Sequence, residues 1–325
     1  MSAVPCVDWQ VAAATGRFLV PSGIDLPRRE AAAVVTDLRA CADRAVAAVE
    51  AASELGSPAE ARVLMVDRHT WLQATTGMAE AMLTAIGQRP PAGLGEKVAA
   101  RLAGVQLGAA FAFVATRILG QFDPYSPHRR LLLVAPNIVA AERAMGVHPT
   151  GFRQWVCLHE QTHAAQFGAA PWLPTYLLDL MATMFADGAE PTGDTRNAGL
   201  AGRMFSADQR VAFDGITAVM SLLEGHADVI MDRAATGMVP QVDLLRAAME
   251  SRRDAPGLVQ LISRLLGLRA KREQYLRGAA FCRAVIAQAG VVTLNRAFEA
   301  PGWLPTLTEL DQPERWLQRV PQPVA

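Results

Sequence analysis

Two short runs, Ala61 to Asp67 (ARVLMVD) and Arg129 to Pro136 (RRLLLVAP), are the stretches of this 325-residue chain that read as β-strands. Each is apolar, bounded by charge or proline, and too short for a helix that could stand alone. A core for a chain of this length therefore has to be built mainly from helices, with one small sheet. The rest of the pattern agrees. Helical signals run from about Pro27 to Leu55, Thr70 to Ile86, Glu96 to Leu119, Thr150 to Gly168, Ser206 to Ala235, Pro256 to Leu266 and Arg269 to Ala289. Thr150 fits an N-cap and Gly168 the residue just past a helix end. The segment from Glu96 carries Gly104, Gly108 and Ala112, which predicts a helix packed closely on most sides. QRPPAGLG, FDPYSPH and PTGDTRN read as loops. With no repeat and no linker, the chain reads as one compact unit over 1–325. A helical arm occupies 1–60 and a helical C-terminal part 241–325.

Charge removes whole classes of function. The 31 basic and 31 acidic side chains cancel, and no dense Lys/Arg run exists. Affinity for nucleic acid rests on clustered positive charge, so no nucleic-acid partner is expected. The cysteines at 6, 41, 157 and 282 form no CxxC pair, which points to reduced thiols and neither a disulfide framework nor a thiolate zinc site. The uncharged stretch from Leu102 to Thr116 falls short of the ~20 residues a membrane span requires, and the first twenty residues lack a signal-like apolar run. The expectation is a soluble, cytoplasmic protein with no membrane span; its oligomeric state is not legible.

The segment VCLHEQTHAA carries the chemistry. His159 and His163 stand four residues apart, about 400° of helical rotation, so both imidazoles share a face and can reach one ion, with Glu160 beside them. Every flanking residue from Val156 to Ala165 is uncharged, as a shielded ion requires. The competing reading is a pair of core histidines that only satisfy hydrogen bonds. A catalytic zinc takes three protein ligands and keeps one position open, so a third ligand must lie elsewhere. The metzincin continuation would need Gly and His where the chain has Gln166 and Ala169. About twenty residues on stand Asp179, Asp187 and Glu190, none in a persuasive apolar helix.

SLLEGHADVIMD offers a better candidate. Glu224 sits in a strongly apolar helix, where an unpaired carboxylate would be costly; its rival role is an ion pair with Arg233 or Arg203. Asp228, one turn on, can accept the outer N–H of a ligating histidine and fix its tautomer, or pair with Arg233 on the helix surface. His226 points roughly 200° away from Glu224, so it is not a co-ligand and would line the cleft. Tyr176, His226 and Tyr275 are candidate donors to a developing oxyanion. His69, His128 and His148 read as surface residues.

HEQTHAAQF and LLEGHADVIMD, with LGQFDPY ahead of LLLVAPNI and the late KREQYLRGAAFCRAV and LPTLTELDQPERWLQRV, resemble the bacterial zincin-like metallopeptidases of unknown substrate, a family often associated with deazaflavin coenzyme biosynthesis. The resemblance spans about Asp8 to Val320. It implies a mainly α (α+β) zincin-like fold with a small β-sheet packed on the HExxH helix. It also implies a zinc site at His159, His163 and Glu224, with Glu160 catalytic. The expected activity is a zinc-dependent hydrolase, a metallopeptidase in which Glu160 is the general base for a zinc-activated water, acting on a peptide or protein substrate. The strand from Arg129 would offer its edge to an extended substrate. The alternative is a catalytically silent zincin-like scaffold or binding protein with a structural metal.

Overall fold

A computed structural model describes residues 4–56, 60–126, 128–186, 206–240, 242–252 and 273–321. The helices are α1 (Trp9–Leu19), α2 (Arg28–Ser53), α3 (Arg68–Ala85), α4 (Leu94–Ala115), α5 (Ala135–Met145), α6 (Pro149–Ala169), α7 (Leu173–Met184), α8 (Ala207–Ala235), α9 (Val242–Arg252), α10 (Glu273–Asn295), α11 (Leu307–Asp311) and α12 (Pro313–Arg319). Between them lie three strands, β1 (Arg62–Val66), β2 (Gly120–Asp123) and β3 (Arg130–Val134). The expected mainly helical α+β architecture is what the chain adopts.

The sheet order is β1-β3-β2, with β1 parallel and β2 antiparallel to β3. β3 is thus the central strand, and both of its edges are already paired. The expectation that a substrate could pair with it is corrected: the outer antiparallel strand is β2. The uninterrupted leucines of β3 follow from its place. Leu131 and Leu133 enter the core built on α2, α6, α8 and α10, while Leu132 and Val134 enter a second core with Trp71, Leu72 and Phe111. Alternate side chains of a strand leave opposite faces, so a strand buried on both faces is apolar throughout. β2 was not foreseen, and its last two residues, Phe122 and Asp123, open the FDPYSPH segment read as a loop. Four residues with a glycine carry little strand signal, and its extension comes from pairing with β3, from Gly120 opposite Leu133 to Asp123 opposite Arg130. The buried Asp123 carboxylate closes that hairpin. It accepts from Arg130 at 2.6 Å and from the backbone N–H groups of Tyr125 and Ser126.

Among the helices not foreseen are α1, α5 and α7. α1 packs along α4, where Gly104 and Gly108 bring the two backbones together. α5 starts straight after β3, with Pro136 in its first turn, where no amide hydrogen is required. Two boundaries also move. α6 begins at Pro149 with no side-chain cap from Thr150, and Gly168 lies inside it. α4 is less enclosed than expected, for Leu94, Val98, Leu102, Val105 and Phe113 form an exposed apolar stripe. By length and composition alone α4 and 277–298 could each cross a membrane, a property that core helices share. PTGDTRN and the stretch from Pro256 to Leu266 lie outside the described residues.

The N-terminal arm is clamped to the motif helix. Arg153 of α6 forks between Glu142 of α5, at 2.6 Å, and Asp37 of α2, at 2.9 Å, while Arg44 of α2 donates to Gln154 of α6. The four cysteines are free, and three of them are buried.

Candidate metal centre

The sheet, α6 and α8 together place the cluster. β2 lies against α6, with Phe122 stacked on Phe167 at 5.4 Å between ring centroids. That contact brings Gly120 onto the motif: a Cβ at position 120 would stand 2.6 Å from the Glu160 carboxyl carbon. Only a residue without a side chain leaves space for that carboxylate. α8 is fixed at its start by a capping box between Ser206 and Gln209, whose amide also donates to Met184 O at the end of α7. In its middle it touches α10 backbone to backbone. A Cβ on Gly225 would come within 2.1 Å of the Gly278 carbonyl carbon, so the residue after Glu224 is held by a contact no larger side chain permits.

With these elements in place, His159, His163 and Glu224 converge. The two Nε2 atoms are 3.2 Å apart. Glu224 Oε2 lies 3.7 Å from His159 Nε2, and Oε1 lies 3.9 Å from His163 Nε2. The rings stand perpendicular, 4.8 Å between centroids. Ligands about 2.0–2.2 Å from a tetrahedral zinc are separated by about 3.3–3.5 Å, so these spacings bracket what one ion requires. Among the described residues this is the group of His, Cys, Asp or Glu side chains close enough to hold a metal. Glu224 is one-third exposed and faces the histidines, which sets aside its pairing with Arg233; Arg203 lies outside the described residues. Hydrogen bonding supplies a separate test of fit. His163 Nδ1 is 2.8 Å from Gln166 Oε1, an acceptor, so Nδ1 carries the proton and Nε2 presents a lone pair. A bare imidazole nitrogen and a carboxylate oxygen therefore face each other, which is the donor set a cation reconciles.

Glu160 is almost wholly buried beside this cluster. Burial, and secondarily the charge of Glu224, push its carboxyl up to about 8. His226 lies on the far side of Gln166, fully buried and edge-on to Phe298 at 4.9 Å. It does not line the cleft as expected, because α8 turns it into the core. Burial drives its pKa down to about 3, against an opposing interaction with the Asn295 side chain. Tyr176 of α7 is half-buried against Trp172, and the side chain of Tyr275 lies outside the described residues. Asp179 belongs to α7, apart from the cluster, while Asp187 and Glu190 fall outside the described residues. His128 and His148 are exposed, but His69 is half-buried with its Nδ1 enclosed. The residue bonded to His163 Nδ1 is Gln166, not Asp228, whose charge also acts on the Cys282 thiol of α10. Gln166 and Gly120 are the site residues that sequence reasoning missed.

The chain matches the zincin-like metallopeptidase family over residues 7–317. A solved structure from Chloroflexus aurantiacus, of an uncharacterised protein assigned as a hydrolase with a novel fold, is similar at 27% identity and a TM-score of 0.76, covering 96% of this chain and 98% of that one. No curated protein matches the sequence.

Proposed function

Because the chain belongs to the zincin-like metallopeptidase family, we propose that it is a zinc-dependent hydrolase that cleaves peptide bonds. The observation that carries this reading is the convergence of two imidazole nitrogens and one carboxylate within 4.8 Å of one another, with the Glu160 carboxylate beside them on the next residue of the same helix. His159 and His163 of α6 and Glu224 of α8 would hold the ion. When bound, zinc supplies Lewis-acid polarisation of a carbonyl oxygen and acidification of water. Glu160 takes a proton from the attacking water and passes it to the leaving amine, the role for which a carboxylate near neutral pKa is suited. Burial excludes competing water from that carboxylate, and a cation nearby lowers its pKa, opposing the burial and Glu224 contributions. Asp228, one turn beyond Glu224, would serve His159 as the outer acceptor. An extended peptide would run along β2, whose outer edge pairs with no strand among the described residues.

One observation favours the rival reading of a silent scaffold with a structural metal: Glu160 is only 6% exposed. The two separate in one experiment. Zinc-loaded protein and its Glu160→Gln variant are incubated with a diverse peptide mixture, and products are identified by mass spectrometry. The hydrolase reading predicts cleavage that falls by roughly 10²–10⁴-fold in a variant that still holds one zinc. Unchanged cleavage in the variant rejects Glu160 as the base; no cleavage by the zinc-loaded wild type supports the scaffold.

A further inference from the structure

Three residues beyond His163, α6 carries a glutamine with no exposed surface. The Gln166 side chain makes three contacts. Oε1 stands 2.8 Å from His163 Nδ1, while Nε2 is 2.8 Å from the carbonyl oxygen of Leu223 and 3.0 Å from His226 Nδ1. The Leu223 carbonyl decides how the amide is turned. A carbonyl oxygen only accepts, so the group facing it is the NH₂, and the amide oxygen is left for His163. Reversing the amide would set two carbonyl oxygens 2.8 Å apart.

From that orientation the protons follow in both directions. His163 has to donate from Nδ1, so its Nε2 is bare. His226 has to accept at Nδ1, so its proton sits on Nε2. Asn295 of α10 lies within reach of the His226 ring. Its Nδ2 is committed to Ser53 O at the end of α2, at 2.8 Å, so the oxygen is the atom it has left. Neither His226 Nε2 nor Asn295 Oδ1 has a hydrogen-bond partner, and both are enclosed. Buried polar groups with no partner are rare, and these two complement each other.

We propose that Gln166 is a positioning residue that fixes both the tautomer of His163 and its distance from Glu224, and that His226 and Asn295 hold Gln166 in that orientation. The proposal rests on reading His159, His163 and Glu224 as metal ligands. One amide reaches the outer nitrogen of a ligand on α6 and the backbone just before the ligand on α8. It therefore sets the 3.9 Å span between His163 Nε2 and Glu224 Oε1. A purely mechanical bridge between the helices would not require the donor and acceptor in that order.

Two measurements on the full-length protein test this. In the chelated wild type, long-range ¹H–¹⁵N correlation at the imidazoles reports which nitrogen of His163 carries the proton. Zinc affinity of wild type and Gln166→Met is then measured by competition with a chromophoric chelator, with circular dichroism of the chelated variant as the check on folding. The expected results are the Nδ1–H form in the wild type and affinity lower by about 10–100-fold in a folded variant, the range for loss of a partner to a ligating histidine. Nε2–H in the wild type, or equal affinity in the variant, overturns the proposal. If Gln166→Met does not fold, the wild-type tautomer decides alone. A wild type that shows Nδ1–H yet binds no zinc overturns the metal reading, and the ligand role with it; tight zinc binding with Nε2–H overturns only the clamp.

Discussion

Glu160 exerts opposite demands on stability and chemistry. Its carboxyl is neutral in the folded, metal-free chain up to about pH 8, but ionises near 4.5 in the unfolded chain. Between those values the unfolded state binds fewer protons, so stability falls as pH rises from about 4.5 to about 8 and levels off above. The loss is on the order of a few kcal/mol. Urea unfolding of chelated protein across that range should show this decline, and Glu160→Gln should remove it; the same slope in both would place its cause elsewhere. Gly120 bears on the same group. Gly120→Ala sets a methyl carbon against the Glu160 side chain at 2.6 Å, and should cut turnover while zinc content stays at one per chain. The two histidines and the glutamate between them were legible because their spacing alone puts them on one helical turn. Glu224 was legible as an acid with no reason to be in an apolar helix. Gly120 was not, because its partner comes from α6; Gln166 stands one turn from His163, but its contacts with Leu223 and His226 come from α8, which spacing along α6 does not show.

At the level of elements, the helices read correctly were those with strong end signals, such as Ser206 opening α8 and Pro27 ahead of α2. β2 and α5 were missed because their conformation depends on β3: one strand pairs with it and the helix takes off from its end. A local reading cannot see a hairpin whose turn is closed by the long reach of Arg130 to Asp123. The crossing of α8 and α10 is equally non-local. Gly225 and Gly278 face each other with no room for a Cβ, so Gly225→Ala forces the helices apart. Overpacking of this kind typically costs about 1–3 kcal/mol. Since Glu224 is the preceding residue, the variant should lose zinc affinity as well as melting temperature. A lower melting temperature with unchanged zinc affinity would show that this crossing does not set the ligand.

Across the whole molecule, the ion would join α6, held to the arm by Arg153, to α8, held to the C-terminal part through α10. Ligands come from two helices separated in sequence, so an unfolded chain offers no formed site and zinc binding adds directly to folding stability. One hundred times the dissociation constant of free zinc should contribute about 2.7 kcal/mol. Calorimetric scans with and without chelator should show that gain in wild type and its loss in Glu224→Ala; a gain that survives in the variant would put the ion elsewhere.

The three-ligand zinc site is tested most directly by anomalous diffraction at the zinc edge from crystals grown with one equivalent of zinc. A single peak is expected about 2.0–2.2 Å from His159 Nε2, His163 Nε2 and a Glu224 oxygen. A peak bound by other residues, or a zinc held by the histidines with Glu224 turned away, would contradict that three-ligand site.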